Sequence, residues 1–99
     1  MPTLSSIAQS GLQAAQARLN ASASNVANLQ TPGYKPVAVQ AQPQPQGGVV
    51  VNFSRAATEG VALEEEVVAQ MQAKTDFMAN LQVLKTADQV MGSLLDAKA

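Results

Sequence analysis

Apolar residues repeat at helical spacing near both ends of the chain and lose that rhythm between them. Leu12, Leu19 and Val26 recur every seven residues, with Ala8, Ala15, Ser22 and Leu29 at the offset position. This three-four stripe predicts a helix with one narrow apolar seam over residues 4–30. The small members of the stripe, Ala8, Ala15 and Ser22, allow another helix to approach closely. Gln13, Gln16, Asn20 and Ser24 make the opposite face polar and uncharged. A second seam runs over residues 63–95 through Leu63, Val67, Gln70, Lys74, Phe77, Leu81, Leu84, Asp88, Met91 and Leu95. Val68, Met71 and Met78 widen its apolar face, and Lys74 and Asp88 interrupt it, which directs those turns toward water or a polar partner. Glu64, Glu65 and Glu66 sit in the first turn, where the helix dipole favours negative charge. Gly92 suggests a close helix contact or a frayed last turn.

Between the helices the chain reads as turn, spacer and one strand. Thr31 precedes Pro32, which biases it away from helix. Thr31-Pro32-Gly33-Tyr34 has the proline and glycine placement of a type II turn, with Gly33 at positive φ. Residues 35–48 carry Pro36, Pro43 and Pro45 among alternating glutamines and read as an extended, polyproline-like spacer. Val49-Val50-Val51-Asn52-Phe53 has the β-branched content of a short strand. A single strand has to pair with another chain or stay irregular. The expected fold is therefore all-α. Two long amphipathic helices form a helical hairpin or coiled coil, joined by a Pro/Gln-rich linker with at most one short strand. The chain divides into an N-terminal assembly helix (4–30), a turn and spacer with a short extended segment (31–60), and a C-terminal assembly helix (61–97).

Composition narrows the function more than the fold. Hydrophobic residues make up 46% of the 99, but many are alanine, and the aromatic residues are Tyr34, Phe53 and Phe77. Large core residues are scarce, so the seams require partners. The chain has neither cysteine nor histidine, which removes thiolate nucleophiles, imidazole bases and the commonest zinc ligands. The formal net charge of −1 gives no basic face for nucleic acid. Before Arg55 the charged side chains are Arg18 and Lys35, and every acidic residue lies from Glu59 onward. No stretch reaches the roughly 20 apolar residues needed to span a bilayer, and residues 1–13 lack the basic and apolar parts of a secretory signal. Glu64, Glu65 and Glu66 point about 100° apart on a helix and cannot converge on a metal. Gly47-Gly48 precedes a strand and not a helix, so it makes no phosphate cradle. Asn20-Ala21-Ser22 and Asn52-Phe53-Ser54 fit the short glycosylation pattern without a supporting context. The reading is a non-enzyme with no catalytic residue, cofactor or metal.

Both ends carry motifs. Ser10-Gly11-Leu12-Gln13-Ala14-Ala15, Asn25-Val26-Ala27-Asn28 and Thr31-Pro32-Gly33-Tyr34-Lys35 resemble the N-terminal signature of the bacterial flagellar rod and hook protein family. Ala79-Asn80, Val83-Leu84-Lys85-Thr86-Ala87-Asp88 and Gly92-Ser93-Leu94-Leu95-Asp96 resemble its C-terminal segment. The resemblance implies a small rod-type structural subunit whose terminal helices pack as coiled coils in a tubular assembly in the basal body, the periplasmic rod. It implies export through the flagellar type III apparatus without a cleaved signal. The expected partners are other rod or hook-type axial proteins, further copies of this chain and the export apparatus. The assembly motif would be Asn25, Asn28, Thr31, Pro32, Gly33 and Tyr34. The helix-packing residues would be Leu12, Leu19, Val26, Phe77, Leu81, Leu84, Met91 and Leu95.

Four features depart from the family pattern, one being that the β-rich middle of the larger members is missing. Ser24-Asn25 stands where paired asparagines are usual, and Gly60-Val61-Ala62-Leu63 where Asn-Val-Asp-Leu often opens the last helix. Lys74-Thr75-Asp76-Phe77 replaces Gln-Arg-Ala-Tyr. Ala62 lacks the oxygen of a capping side chain, a loss of about 1 kcal/mol. The departures at Ala62 and at Lys74 to Asp76 support an alternative, a helical adaptor or regulatory module that binds axial subunits without being built into the rod.

Overall fold

The computed structural model describes residues 3–98, with side chains through Asp96. Of the stretch read for a secretory signal, Met1 and Pro2 lie outside the described residues, as do the side chains of Ala97 and Lys98 and all of Ala99. The element order is α1 (Leu4–Ala27), β1 (Val37–Pro43), β2 (Val49–Arg55) and α2 (Leu63–Lys98). The all-α expectation is therefore wrong. The middle of the chain is an antiparallel β-hairpin, and the fold is helix-strand-strand-helix.

Local chemistry explains where each element begins and ends. Thr3 caps α1, its side-chain oxygen accepting the Ser6 N–H at 3.1 Å. At the other end the Asn28 carboxamide donates to Ser24 O at 2.9 Å and accepts from the Thr31 hydroxyl at 3.1 Å. Gly33 then takes φ 74° and Tyr34 N–H closes the turn on Thr31 O at 3.3 Å, as Pro32-Gly33 requires.

The supposed spacer is β1, and the three prolines do not block it. Ala56 N–H donates to Pro36 O and Gln44 N–H to Gly48 O, both at 2.9 Å. With the register Val37↔Arg55 through Pro43↔Val49, the even-numbered residues bond across the hairpin. Odd-numbered residues direct their backbone groups away from it. Pro43 sits at an odd position, where no cross-strand N–H is needed, and Pro36 supplies only its carbonyl. Pro45 falls in the connection, where Gly47 and Gly48 take φ 103° and 84°. The Val49–Phe53 run thus pairs within its own chain.

The helices pack antiparallel and the hairpin lies on α1, not on α2. Asn25 stands opposite Glu66 and Gly11 opposite Asn80, a register that brings Leu4 level with Ala87. The buried apolar residues among those described are all alanines: Ala8, Ala14, Ala15, Ala73 and Ala87. Small side chains bring the helix axes close, and at Gly11 a Cβ would overlap the Asn80 carboxamide. The α2 face toward α1 follows Glu66, Ala73, Asn80 and Ala87. The larger side chains Val67, Val68, Met71, Met78 and Leu94 are exposed. At Gly92 a Cβ would meet nothing within 4 Å, so it marks no close helix contact. The molecule is elongated, 63 × 24 × 14 Å, because residues 88–98 of α2 run on past the start of α1.

Candidate assembly site

Asn25 is the one large side chain fully buried among the described residues, at 2% exposure. Its carboxamide uses every bond it can make. The Nδ2 group donates to Val37 O at 2.9 Å and to Glu66 Oε1 at 3.0 Å. The Oδ1 atom accepts from Val37 N–H at 2.8 Å and from the Tyr34 hydroxyl at 3.1 Å. One residue thereby ties α1 to the turn, to the start of β1 and to the first turn of α2. Val37 is odd-numbered, so both its backbone groups point off the hairpin edge and need such a partner.

The rest of the proposed motif surrounds this node. Asn28 and Thr31 bond each other and cap α1. Pro32 and Gly33 turn the chain and are themselves exposed. Gly60 N–H donates to Tyr34 O at 3.1 Å, which fastens the turn to the segment entering α2. Arg55 lies over the Tyr34 ring, 5.3 Å from its centroid, and donates to Lys35 O at 2.9 Å. Glu66, read from sequence as part of a solvated helix start, turns its carboxylate inward to Asn25. The signal was its position, one helical turn inside α2 at the level of the motif.

Further contacts hold the helices together. Ser22 Oγ donates to Glu66 O at 3.0 Å and accepts from Gln70 Nε2 at 3.2 Å. Arg18 pairs with Asp76 at 2.9 Å in a partly exposed bridge, an arrangement worth about 1 kcal/mol at most. An open cleft of about 500 Å³ separates β1 from α2, lined by Arg18, Asn25, Val37, Val39, Glu66 and Gln72 among others. No group of histidine, cysteine, aspartate or glutamate among the described residues could hold a metal.

The eight proposed packing residues occupy two other places. Leu12, Leu19 and Val26, one heptad apart, lie on the flank of α1 away from the hairpin. There Leu19 and Phe77 line a groove of about 200 Å³ between the helices. Leu81 follows one turn after Phe77, and each is a little over one-third exposed; Leu84 is half-buried. Met91 and Leu95 are on the overhang of α2, at 60% and 66% exposure. The structure thus brings Asn25 and Tyr34 together, with Asn28 to Gly33 forming the turn between them, and leaves the packing residues as a partly covered apolar flank and an exposed tip.

Residues 6–35 match the family of flagella basal body rod proteins. No curated protein matches the chain. The matched residues include Asn25 and the whole Thr31-Pro32-Gly33-Tyr34 turn. They therefore cover most of α1 and the turn and stop just before the hairpin, so Val37 and Glu66, the other partners of Asn25, lie outside the match. The homology is to a structural family of the flagellar basal body and not to a family of enzymes. The C-terminal resemblance lies outside the matched residues.

Proposed function

We propose that this chain is a structural subunit of the flagellar rod that assembles through its two terminal helices, with other axial proteins and further copies of itself as partners. The distribution of apolar residues carries this reading. The fully buried residues among those described are alanines, Ser22 and Asn25, while Leu12, Val26 and Leu84 are half-buried and Leu19, Phe77, Leu81, Met91 and Leu95 are exposed. Fully burying one such side chain is worth about 1.5–3 kcal/mol. A flank of Leu12, Leu19, Val26, Phe77 and Leu81 with a tip of Met91 and Leu95 thus holds far more stabilisation in an assembly than in the single chain. The node sets the angle at which both helices are presented. Coiled-coil packing of neighbouring helices, export by the type III apparatus without signal cleavage and a place in the periplasmic rod complete the proposal.

Replacing the native gene with Leu81→Asp or Leu95→Asp tests it. Leu95 is 66% exposed in the single chain and Leu81 37%, so helicity of purified Leu95→Asp should be unchanged. The amount of either variant in washed basal bodies should fall at least tenfold, with motility. Undiminished incorporation of both variants would refute assembly through the helices. A native chain absent from washed basal bodies that still binds isolated axial subunits would establish the adaptor role instead.

A further inference from the structure

The hairpin has two edges, and α1 closes them unequally. On the β1 edge, Asn25 occupies both backbone groups of Val37 and Pro43 has no N–H, which leaves Val39 and Ala41. On the β2 edge, Ser10 Oγ accepts the Val49 N–H at 3.1 Å. The outward N–H and C=O groups of Val51, Phe53 and Arg55 have no partner among the described residues. Natural edges are blunted by proline, charge or a bulge, yet β2 has no proline and its one charge, Arg55, stands at its last position, drawn over the Tyr34 ring. Phe53 stands opposite Val39 on the apolar face of the hairpin but is 62% exposed. A second cleft, lined by Val49, Asp76 and Asn80, separates α2 from the start of β2, and among the described residues α2 makes no contact with Val51, Phe53 or Arg55.

We propose that two copies of this chain pair antiparallel through their β2 edges, centred on Phe53, to make a four-stranded sheet. The available groups select the register. With Phe53 opposite Phe53 and Val51 opposite Arg55, all three outward residues of each strand bond across the interface. Sliding toward Val49 calls on an N–H already given to Ser10. Sliding the other way loses bonds and ends with Arg55 facing Arg55. The chosen register brings together the two exposed phenylalanine rings and sets no like charges opposite each other. A two-stranded sheet is marginal by itself, and doubling it removes its open β2 edge. An isologous contact closes at two copies and cannot propagate a filament, so the pair is a state of the unassembled chain and does not rest on the rod reading.

The absence of native cysteine makes a cysteine scan clean. Single variants Asn52→Cys, Phe53→Cys and Ser54→Cys of the full chain are oxidised and followed on non-reducing gels. Phe53→Cys should cross-link at least tenfold faster than either neighbour, and mixing Asn52→Cys with Ser54→Cys should yield the heterodimer. Phe53→Pro removes only an edge-facing N–H, so the hairpin bonds persist. It should retain native helicity and weaken dimerisation at least tenfold in sedimentation. Leu81→Asp, which alters the helix flank, should leave the dimer intact. The proposal is overturned if the native chain is monomeric at millimolar concentration, or if position 52 or 54 cross-links as fast as 53. It is equally overturned if Leu81→Asp abolishes a dimer that Phe53→Pro preserves.

Discussion

Replacing Asn25 is expected to do more damage than any other single polar substitution in the chain. In Asn25→Ala the Val37 N–H and C=O both lose their partner, as do the Tyr34 hydroxyl and the Glu66 carboxylate. Tyr34 and Glu66 are only half-buried and can be rehydrated. The two backbone groups lie against α1 and carry the cost, since a buried group left unmade loses about 1–3 kcal/mol. The expected loss is about 2–4 kcal/mol, a large part of the roughly 5–15 kcal/mol that holds an ordinary domain together. Asn25→Asp keeps the shape and both acceptors. It directs a carboxylate oxygen at Val37 O and at the Glu66 carboxylate, where the amide now donates at 2.9 and 3.0 Å. It should therefore be at least as destabilising as alanine. Adding Glu66→Gln to the Asn25→Asp variant should restore about 1 kcal/mol, because the glutamine amide can donate where the carboxylate repelled. Urea unfolding followed by far-ultraviolet circular dichroism measures the native chain, these three variants and the Glu66→Gln single variant that completes the cycle, at one chain concentration because self-association shifts apparent stability. A cost below about 0.5 kcal/mol for Asn25→Ala, within the range of ordinary surface substitutions, or no coupling between positions 25 and 66, would refute the node as the element that joins the helices to the hairpin.

Two further substitutions test the close packing and the turn. Gly11→Ala gains about 1 kcal/mol of helix propensity but places its Cβ on the Asn80 carboxamide. It should lower stability by about 1 kcal/mol in the native chain, and thermal unfolding should show it stabilising when Asn80→Ala is already present. Gly33→Val forces a β-branched residue to φ 74°, at a cost of about 2 kcal/mol. Hydrogen exchange should then show lost protection at the Gly60 amide, which bonds to Tyr34 O.

Much of the local structure was legible in the residues. Pro32 and Gly33 dictated a tight turn, and Ala8, Ala15 and Ser22 marked a face on which a helix could come close; all three are buried against α2. The hairpin was partly legible too. Val37, Val39 and Ala41 alternate as a strand should, but Pro36, Pro43 and Pro45 outweighed that signal. Whether a proline disrupts a strand depends on which way the missing N–H would have pointed. Only the pairing register, with Pro43 on the edge-facing side and Pro36 as an acceptor, decides that.

By itself the sequence determined the conformations that single residues and heptad spacing control: helices at both ends, the break after α1 and the left-handed glycine in the turn. The phase of α2 was a tertiary decision. Counting large apolar residues centred its seam on Gln70, Phe77, Leu81 and Leu84; Gln70 does bond to α1 and Phe77 does border it, but the line of closest approach runs through Glu66, Ala73, Asn80 and Ala87. Ser22 and Asn25 needed polar partners, and small side chains allowed the closest approach. The hairpin and the Asn25 node were decided the same way. Each depends on backbone groups distant in sequence being left without water at one point in space, and no local pattern records which groups those are.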